Sequence, residues 1–387
     1  MPFAVYLLGL AVFAQGTSEF MLAGLMPGIA QDLNVSIPAA GLLTSAFAVG
    51  MVVGAPLMAV LSLRWSRRST LLAFLVVFLV VHVVGAVTTS YEVLLGTRVV
   101  AALANAGFLA VAMATAVAMA PSNAKGRATS VLLGGVTIAC VAGVPGGAAL
   151  GEVWGWRSAF WAVAVALIPA IVAVVVSVPG GGAGAPSPLG ELRALRRPRL
   201  LVLLALGALV NGATFCTFTY LAPLLTGTTG LGSAWMPAML ALFGLGSFAG
   251  VTISGRVADV RPVRLLVVGG LLLLGGWVAF AVTAGLAAPA IVLVFVQGTL
   301  SFAVGSTLIS QVLYAADGAP TLGGAFATAA FNVGATVGPW LGGVAIGAGL
   351  GFRSPLWVSA LLVGAALVTA ALAYAAGRGN TSMAAGL

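Results

Sequence analysis

Twelve apolar stretches, each of eighteen residues or more, follow one another along this chain. That succession limits the fold more than any other feature. Each stretch can cross the ~30 Å hydrocarbon layer of a bilayer as a helix. Charges and Pro/Gly clusters set the expected spans at 4–26, 38–62, 70–88, 93–118, 127–151, 158–178, 200–225, 235–256, 263–285, 289–313, 321–347 and 354–376. Only 6% of the residues are charged, against roughly 25% in a soluble domain. The expected fold class is therefore an all-α polytopic membrane protein. No cleavable leader is expected, because the first run follows Met1-Pro2 without a basic segment and is followed by further spans.

The basic residues set an orientation. With the N-terminus in the cytoplasm, the inner segments hold Arg64, Arg67, Arg68, Lys125, Arg127, Arg193, Arg196, Arg197, Arg199, Arg256, Arg261, Arg264 and Arg378. The outer loops hold Arg157 and Arg353, and Arg98 lies inside a span. The net charge of +9 is thus a topology signal, and no nucleic-acid partner is expected. Both termini are expected in the cytoplasm, with the chain in the cell inner (plasma) membrane.

The longest connection, Pro179 to Arg199, starts Gly/Pro-rich and ends basic. It reads as a flexible cytoplasmic linker. The expected organisation is a six-helix bundle over 1–178, a linker over 179–199, a second bundle over 200–377 and a cytoplasmic tail over 378–387. The two bundles match at one offset of 196 residues. "GWRSAFW" at Gly155–Trp161 recurs as "GFRSPLW" at Gly351–Trp357, Gly16 and Pro27 match Gly212 and Pro223, and Gly146-Gly147 matches Gly342-Gly343. Six spans per unit is an even number, so the repeat is parallel. Transporters built this way keep substrate near the midplane between the halves.

Ionisable groups well inside the spans are few: Glu19, His82 and Arg98. A charged group at a helix centre costs about 2.5–3.5 kcal/mol on the insertion scale, so each needs a partner or a task. Counted from their span ends, Glu19 and Arg98 fall at similar depth and could pair or share a wet cavity. The offset maps them onto Phe215 and Val294, so neither charge is duplicated. That places proton coupling at Glu19 and Arg98, in the first half. Switching Glu19's exposure or its distance from Arg98 would let it load and release a proton. His82, near the end of an apolar span, reads as an interfacial or packing residue.

Polar and aromatic residues on single helix faces mark an expected substrate cavity: Gln15, Asn105, Asn211, Phe215, Phe218, Gln297, Ser301, Phe331 and Asn332. An apolar pocket with a few polar groups suits a small hydrophobic molecule. Cys140 and Cys216 read as packing residues. No metal spacing, phosphate loop or nucleophile set occurs in the sequence, so neither an enzyme nor a cofactor is expected.

Several loops and helices resemble the major facilitator superfamily. "GRVADVRPVR" resembles its cytoplasmic G-x-x-x-D-R-x-G-R-R loop, with Gly255, Asp259 and Arg264 matching. The first-half counterpart, "AVLSLRWSRR", keeps Arg64, Arg67 and Arg68 but has Leu63 for the acidic residue and Ala59 for the glycine. These loops are implied to latch a gate. "LLGTRVVAALANAG" resembles the family's arginine motif around Arg98, with Ala101-Ala102 replacing Gln-Gly. "GVTIACVAGVPGGAALG" resembles the antiporter motif, with Gly143, Pro145 and Gly147 as its core. With "GTSEFMLAGLMPGIA", these look like the twelve-span drug/proton antiporters, and more narrowly the chloramphenicol-resistance exporters. The resemblance implies proton-coupled efflux of a small hydrophobic antibiotic by alternating access. Its partners would be the drug, protons and the lipid bilayer, with the chain a monomer. Export of sugars or nucleosides by the same architecture is the alternative. A polytopic enzyme or receptor would lack a reason for the repeat.

Overall fold

The computed structural model describes residues 2–61, 66–121, 125–178, 197–257, 260–316 and 322–384. Helices make up its elements: α1 (Phe3–Phe20), α2 (Leu22–Asp32), α3 (Ile37–Leu61), α4 (Arg67–Val87), α5 (Tyr91–Met119), α6 (Lys125–Ile138), α7 (Val144–Trp154), α8 (Arg157–Ser177), α9 (Pro198–Thr219), α10 (Leu221–Gly227), α11 (Met236–Val257), α12 (Pro262–Thr283), α13 (Ala287–Ala315), α14 (Leu322–Ala345) and α15 (Ser354–Ala384). Among the described residues, twelve helical stretches are long and apolar enough to cross a membrane. This is the all-α polytopic class expected. Helices are the solution because each closes its own backbone hydrogen bonds where no water can.

Prolines explain why some crossings are interrupted. The first crossing breaks at Met21, six residues ahead of Pro27 and so not through that proline's missing donor, and its helix continues to Asp32 rather than ending near Met26. The seventh breaks at Tyr220, because Pro223 has no N–H to offer the Thr219 carbonyl. In the fifth, a π-helical turn over Ala139–Gly143 joins α6 to α7 just ahead of Pro145. The wider turn absorbs the missing Pro145 donor. A second π turn, Ile346–Leu350, follows α14. The last helix continues past the expected boundary at 377 to Ala384. Most of the expected linker, 179–196, lies outside the described residues.

The 196-residue repeat is visible in the elements. The helices α5 and α13 are both 29 residues long and start at equivalent positions. Gly155 and Gly351, also equivalent, have φ of 79° and 74°, a conformation that favours glycine. Ser158 and Ser354 each donate a hydroxyl to the carbonyl of that glycine, both at 2.7 Å. The recurring G-x-R-S is therefore a turn that starts α8 and α15.

One apolar core, including Phe47, Phe78, Phe108 and Phe160, lies within α1–α8. A second, including Trp277 and Phe280, lies mostly within α9–α15 but takes in Ala23, Val144 and Ala148 from the first half. The halves also meet where Ser45 of α3 donates to the Thr336 carbonyl of α14 at 2.9 Å. On the other side α11 meets the first π turn. A Cβ on Gly244 would lie 2.3 Å from the Cys140 carbonyl oxygen, so only glycine permits this approach.

Candidate functional site

The most polar part of the interior is built on three helices. Arg98, on α5, is 1% exposed. Its Nη1 donates to the Ser18 hydroxyl at 2.9 Å and its Nη2 to the Ser18 carbonyl at 2.8 Å. The guanidinium also lies over the Phe47 ring, 4.5 Å from its centre, an arrangement that favours a cation. From α4, His82 brings Nε2 to 2.6 Å from the same Ser18 hydroxyl, and its Nδ1 lies 2.7 Å from the Phe78 carbonyl. The imidazole stacks on Phe78 at 4.2 Å. His82 is thus fully buried in a polar network, so of the two expected placements, at the interface or packed in the interior, it takes the second.

Glu19 and Arg98 meet the same level of the bundle, yet they form no ion pair; among the described residues Asp32–Arg157 is the only one. The reason is angular. Successive helical residues point about 100° apart, and Arg98 is bound to Ser18. Glu19 is turned away, stays partly exposed, and interacts electrostatically with Arg98 and Cys140 and through a hydrogen bond with Asn105. Gln15, one turn earlier, is buried, and neither of its amide atoms has a partner among the described residues. Asn105 also donates to the Met51 sulfur at 3.6 Å.

Next to Glu19 begins an aromatic cluster. Phe20 faces Phe215 at 5.7 Å, Phe215 meets Phe218 edge-on at 6.2 Å, and Phe218 meets Phe243 at 4.7 Å. With Phe302, Thr214 and Cys140 these rings line a narrow cavity between the halves. Of the residues expected to line a cavity, the structure brings Phe215 and Phe218 here. Gln297 lines an adjoining space with Phe218 and Trp277, and donates to the Leu273 carbonyl at 3.2 Å. Ser301 is buried with its hydroxyl unpartnered. Asn211 instead ties α9 to α14, donating to the Phe331 carbonyl at 2.7 Å. Phe331 fills the space beside Gly207, and Asn332 bonds within its own helix to Thr328 at 2.9 Å.

In the antiporter motif, Gly143 is dictated by packing: a Cβ there would sit 2.0 Å from the Thr17 hydroxyl oxygen. Gly147 lies at ordinary contact distance from Met21. Pro145 follows the π turn. The motif therefore backs the segment of α1 that carries Ser18 and Glu19. Among the gate-loop residues, Arg64 and Asp259 lie outside the described residues. Arg67 and Arg68 open α4, where Ser66 caps the helix. Gly255 lies in the last turn of α11 and Arg264 in the first turn of α12.

At the end of the bundle that carries Asp32, a cavity of about 830 Å³ is lined from both halves. Arg157 and the Trp156 ring nitrogen both donate to Asp32, and Arg157 also donates to the Thr88 carbonyl at 2.9 Å. Arg157 holds the Asp32 carboxyl below its usual range. Ser233 of the second half donates to Glu152 of the first at 2.6 Å.

Sequence reasoning missed Ser18, Phe47, Phe20, Phe243 and Phe302. Ser18 had no distinguishing signal, being one of several polar residues, with Gln15, Thr17 and Glu19, in the same stretch of α1. Phe47 is equivalent to Phe243 in the repeat, but the sequence marks the role of neither.

Comparison with known proteins gives a consistent set. The Major Facilitator Superfamily profile matches residues 8–331. A "Chloramphenicol resistance protein" of Streptomyces lividans is 57% identical over 96% of both chains. The "Inner membrane transport protein YdhP" of Escherichia coli K12 is 37% identical over 93% of both. Among solved structures, an inward-facing bacterial homologue of the human lysosomal transporter Spinster superposes with a TM-score of 0.73 over 96% of each chain, at 18% identity.

Proposed function

The chain belongs to the Major Facilitator Superfamily, a family of membrane transporters, and on that premise we propose that it exports a small hydrophobic antibiotic in exchange for protons. Chloramphenicol is the first substrate, by analogy with the named activity of its Streptomyces lividans relative. The chain sits in the cell's inner membrane with both termini in the cytoplasm, works as a monomer, and opens the site between its two six-helix halves to one side of the membrane and then the other.

The observation that carries the reading is the adjacency of two unlike surfaces. A partly exposed carboxylate, Glu19, immediately precedes Phe20, one of five phenylalanines among the seven residues lining a space of about 20 Å³, which must open before a drug-sized molecule enters. Proton and drug can then compete for one conformational state without sharing a site. A sugar or nucleoside would call for more hydrogen-bonding groups than the Thr214 hydroxyl and Cys140 thiol in that lining.

Two measurements test the proposal. Expression in a drug-sensitive host raises phenicol tolerance; unchanged tolerance at good expression refutes the substrate. In the purified protein, chloramphenicol triggers proton release, and Glu19→Gln abolishes it while binding persists. Full gradient-driven transport by that variant would refute the coupling role.

A further inference from the structure

The hydrogen bonds around Ser18 run in one direction. A guanidinium can only donate, so the Ser18 hydroxyl oxygen accepts from Arg98 Nη1 at 2.9 Å. Its single hydrogen is left for His82 Nε2 at 2.6 Å. That nitrogen must then present its lone pair, and the imidazole proton sits on Nδ1, donated to the Phe78 carbonyl at 2.7 Å. The inventory of donors assigns this tautomer. The chain reads Arg98 to Ser18 to His82 to Phe78, and a doubly protonated imidazole could not accept from Ser18.

The imidazole cannot turn freely. It stacks on Phe78 at 4.2 Å, lies 5.7 Å from Phe160 and is 1% exposed. The charged groups on the helices packed around it are Glu19 on α1, Arg98 and Glu92 on α5, and Arg157 on α8. One more observation bears on the network. Among the described residues Arg98 Nε is buried and has no partner, so the clamped guanidinium keeps a donor in reserve. A buried unpaired donor is unfavourable unless an acceptor reaches it in another state. Glu19 is the carboxylate that interacts with Arg98 from outside the clamp.

We infer that His82 is a positioning residue for the coupling pair: acting through Ser18, it retains Arg98 away from Glu19, and opening of that clamp delivers the guanidinium to the carboxylate. This rests on the coupling role proposed for Glu19. The second half has no such device, since Thr214, Val278 and Val294 stand at the positions equivalent to Ser18, His82 and Arg98.

The test is chloramphenicol-triggered proton release from the purified full chain, measured across pH. Phenylalanine in place of His82 keeps the stacking and removes the acceptor; alanine in place of Ser18 removes the hydroxyl. Both His82→Phe and Ser18→Ala are expected to move the pH of half-maximal release down by about 1 unit, with drug affinity changed less than about twofold. The double variant shifts no further than either single one. His82→Gln, which keeps an acceptor for Ser18, restores most of the parent profile. An unshifted midpoint in a drug-binding His82→Phe protein overturns the inference; if that protein fails to fold, an unshifted Ser18→Ala overturns it. Glu19→Gln is run alongside: persistent proton release there removes the coupling reading itself, and loss of release with unshifted midpoints removes only the role of His82.

Discussion

The two halves of this transporter share a scaffold and differ in what they place at its centre. In the first, Ser18, His82, Arg98 and Glu19 form a hydrogen-bonded, charged interior. At the equivalent positions the second half has Thr214, Val278, Val294 and Phe215. One pair is identical. Phe47 lies under the Arg98 guanidinium, and its equivalent Phe243 packs, tilted by 33°, against Phe218 at 4.7 Å. The same ring at the same place supports a cation on one side and an aromatic cavity on the other. The repeat supplies the frame, and the two interiors differ within it, one polar and charged and the other aromatic; the proposed function assigns protons to the first and an apolar solute to the second.

The comparison can be broken most severely by moving the acid. The exchange Glu19→Phe with Phe215→Glu transfers the carboxylate to a half lacking Arg98, Ser18 and His82. Drug uptake into inverted vesicles driven by a pH gradient is expected to fall by on the order of 100-fold or more, the scale of losing charged hydrogen bonds in a buried site. Transport near the parent rate would mean that the halves are interchangeable. A milder break is Phe243→Ala. Loss of one aromatic contact is worth about 1 kcal/mol, so chloramphenicol affinity by calorimetry weakens roughly fivefold to tenfold. The pH of half-maximal proton release stays where it was, and a shift would show that the two interiors are not separate.

The smallest effect is expected at the Asp32–Arg157 pair. Asp32 has its carboxyl held below the usual value of 3.8 by Arg157. A carboxyl with a depressed folded value contributes stability above about pH 4, and the contribution is lost as pH falls through the folded value. The pair is largely solvated, with side chains 30% and 45% exposed, so Asp32→Asn should cost under ~1 kcal/mol. Thermal denaturation of the variant and parent should differ slightly at pH 7 and converge below pH 4. A constant gap across that range would assign the effect to packing.

Much of the fold was legible because bilayer thickness and the backbone's need for internal hydrogen bonds leave few solutions to twelve apolar runs. The offset repeat was legible because turns such as G-x-R-S require a positive φ and a capping hydroxyl wherever they occur. The site was legible only in part. Charge cost singled out Glu19, Arg98 and His82, but not which way each faces. Helix phase decides that, and the break at Met21 shifts where the first crossing ends. Ser18 escaped because a hydroxyl costs little in a helix and so leaves no mark in hydropathy. Asn211 and Asn332 carried a polar signal, yet they bond to the Phe331 and Thr328 carbonyls.

The bare contact of Gly244 against the Cys140 carbonyl has a mechanical consequence. Two surfaces that rock past each other are impeded by interlocking side chains, each of which must change rotamer at every stroke. Here main chain rests on main chain, at the π turn beside Pro145. The seam is a smooth bearing, set next to both the aromatic cavity and the carboxylate. Any side chain introduced at residue 244 would act as grit in it, slowing turnover while both ligands still bind.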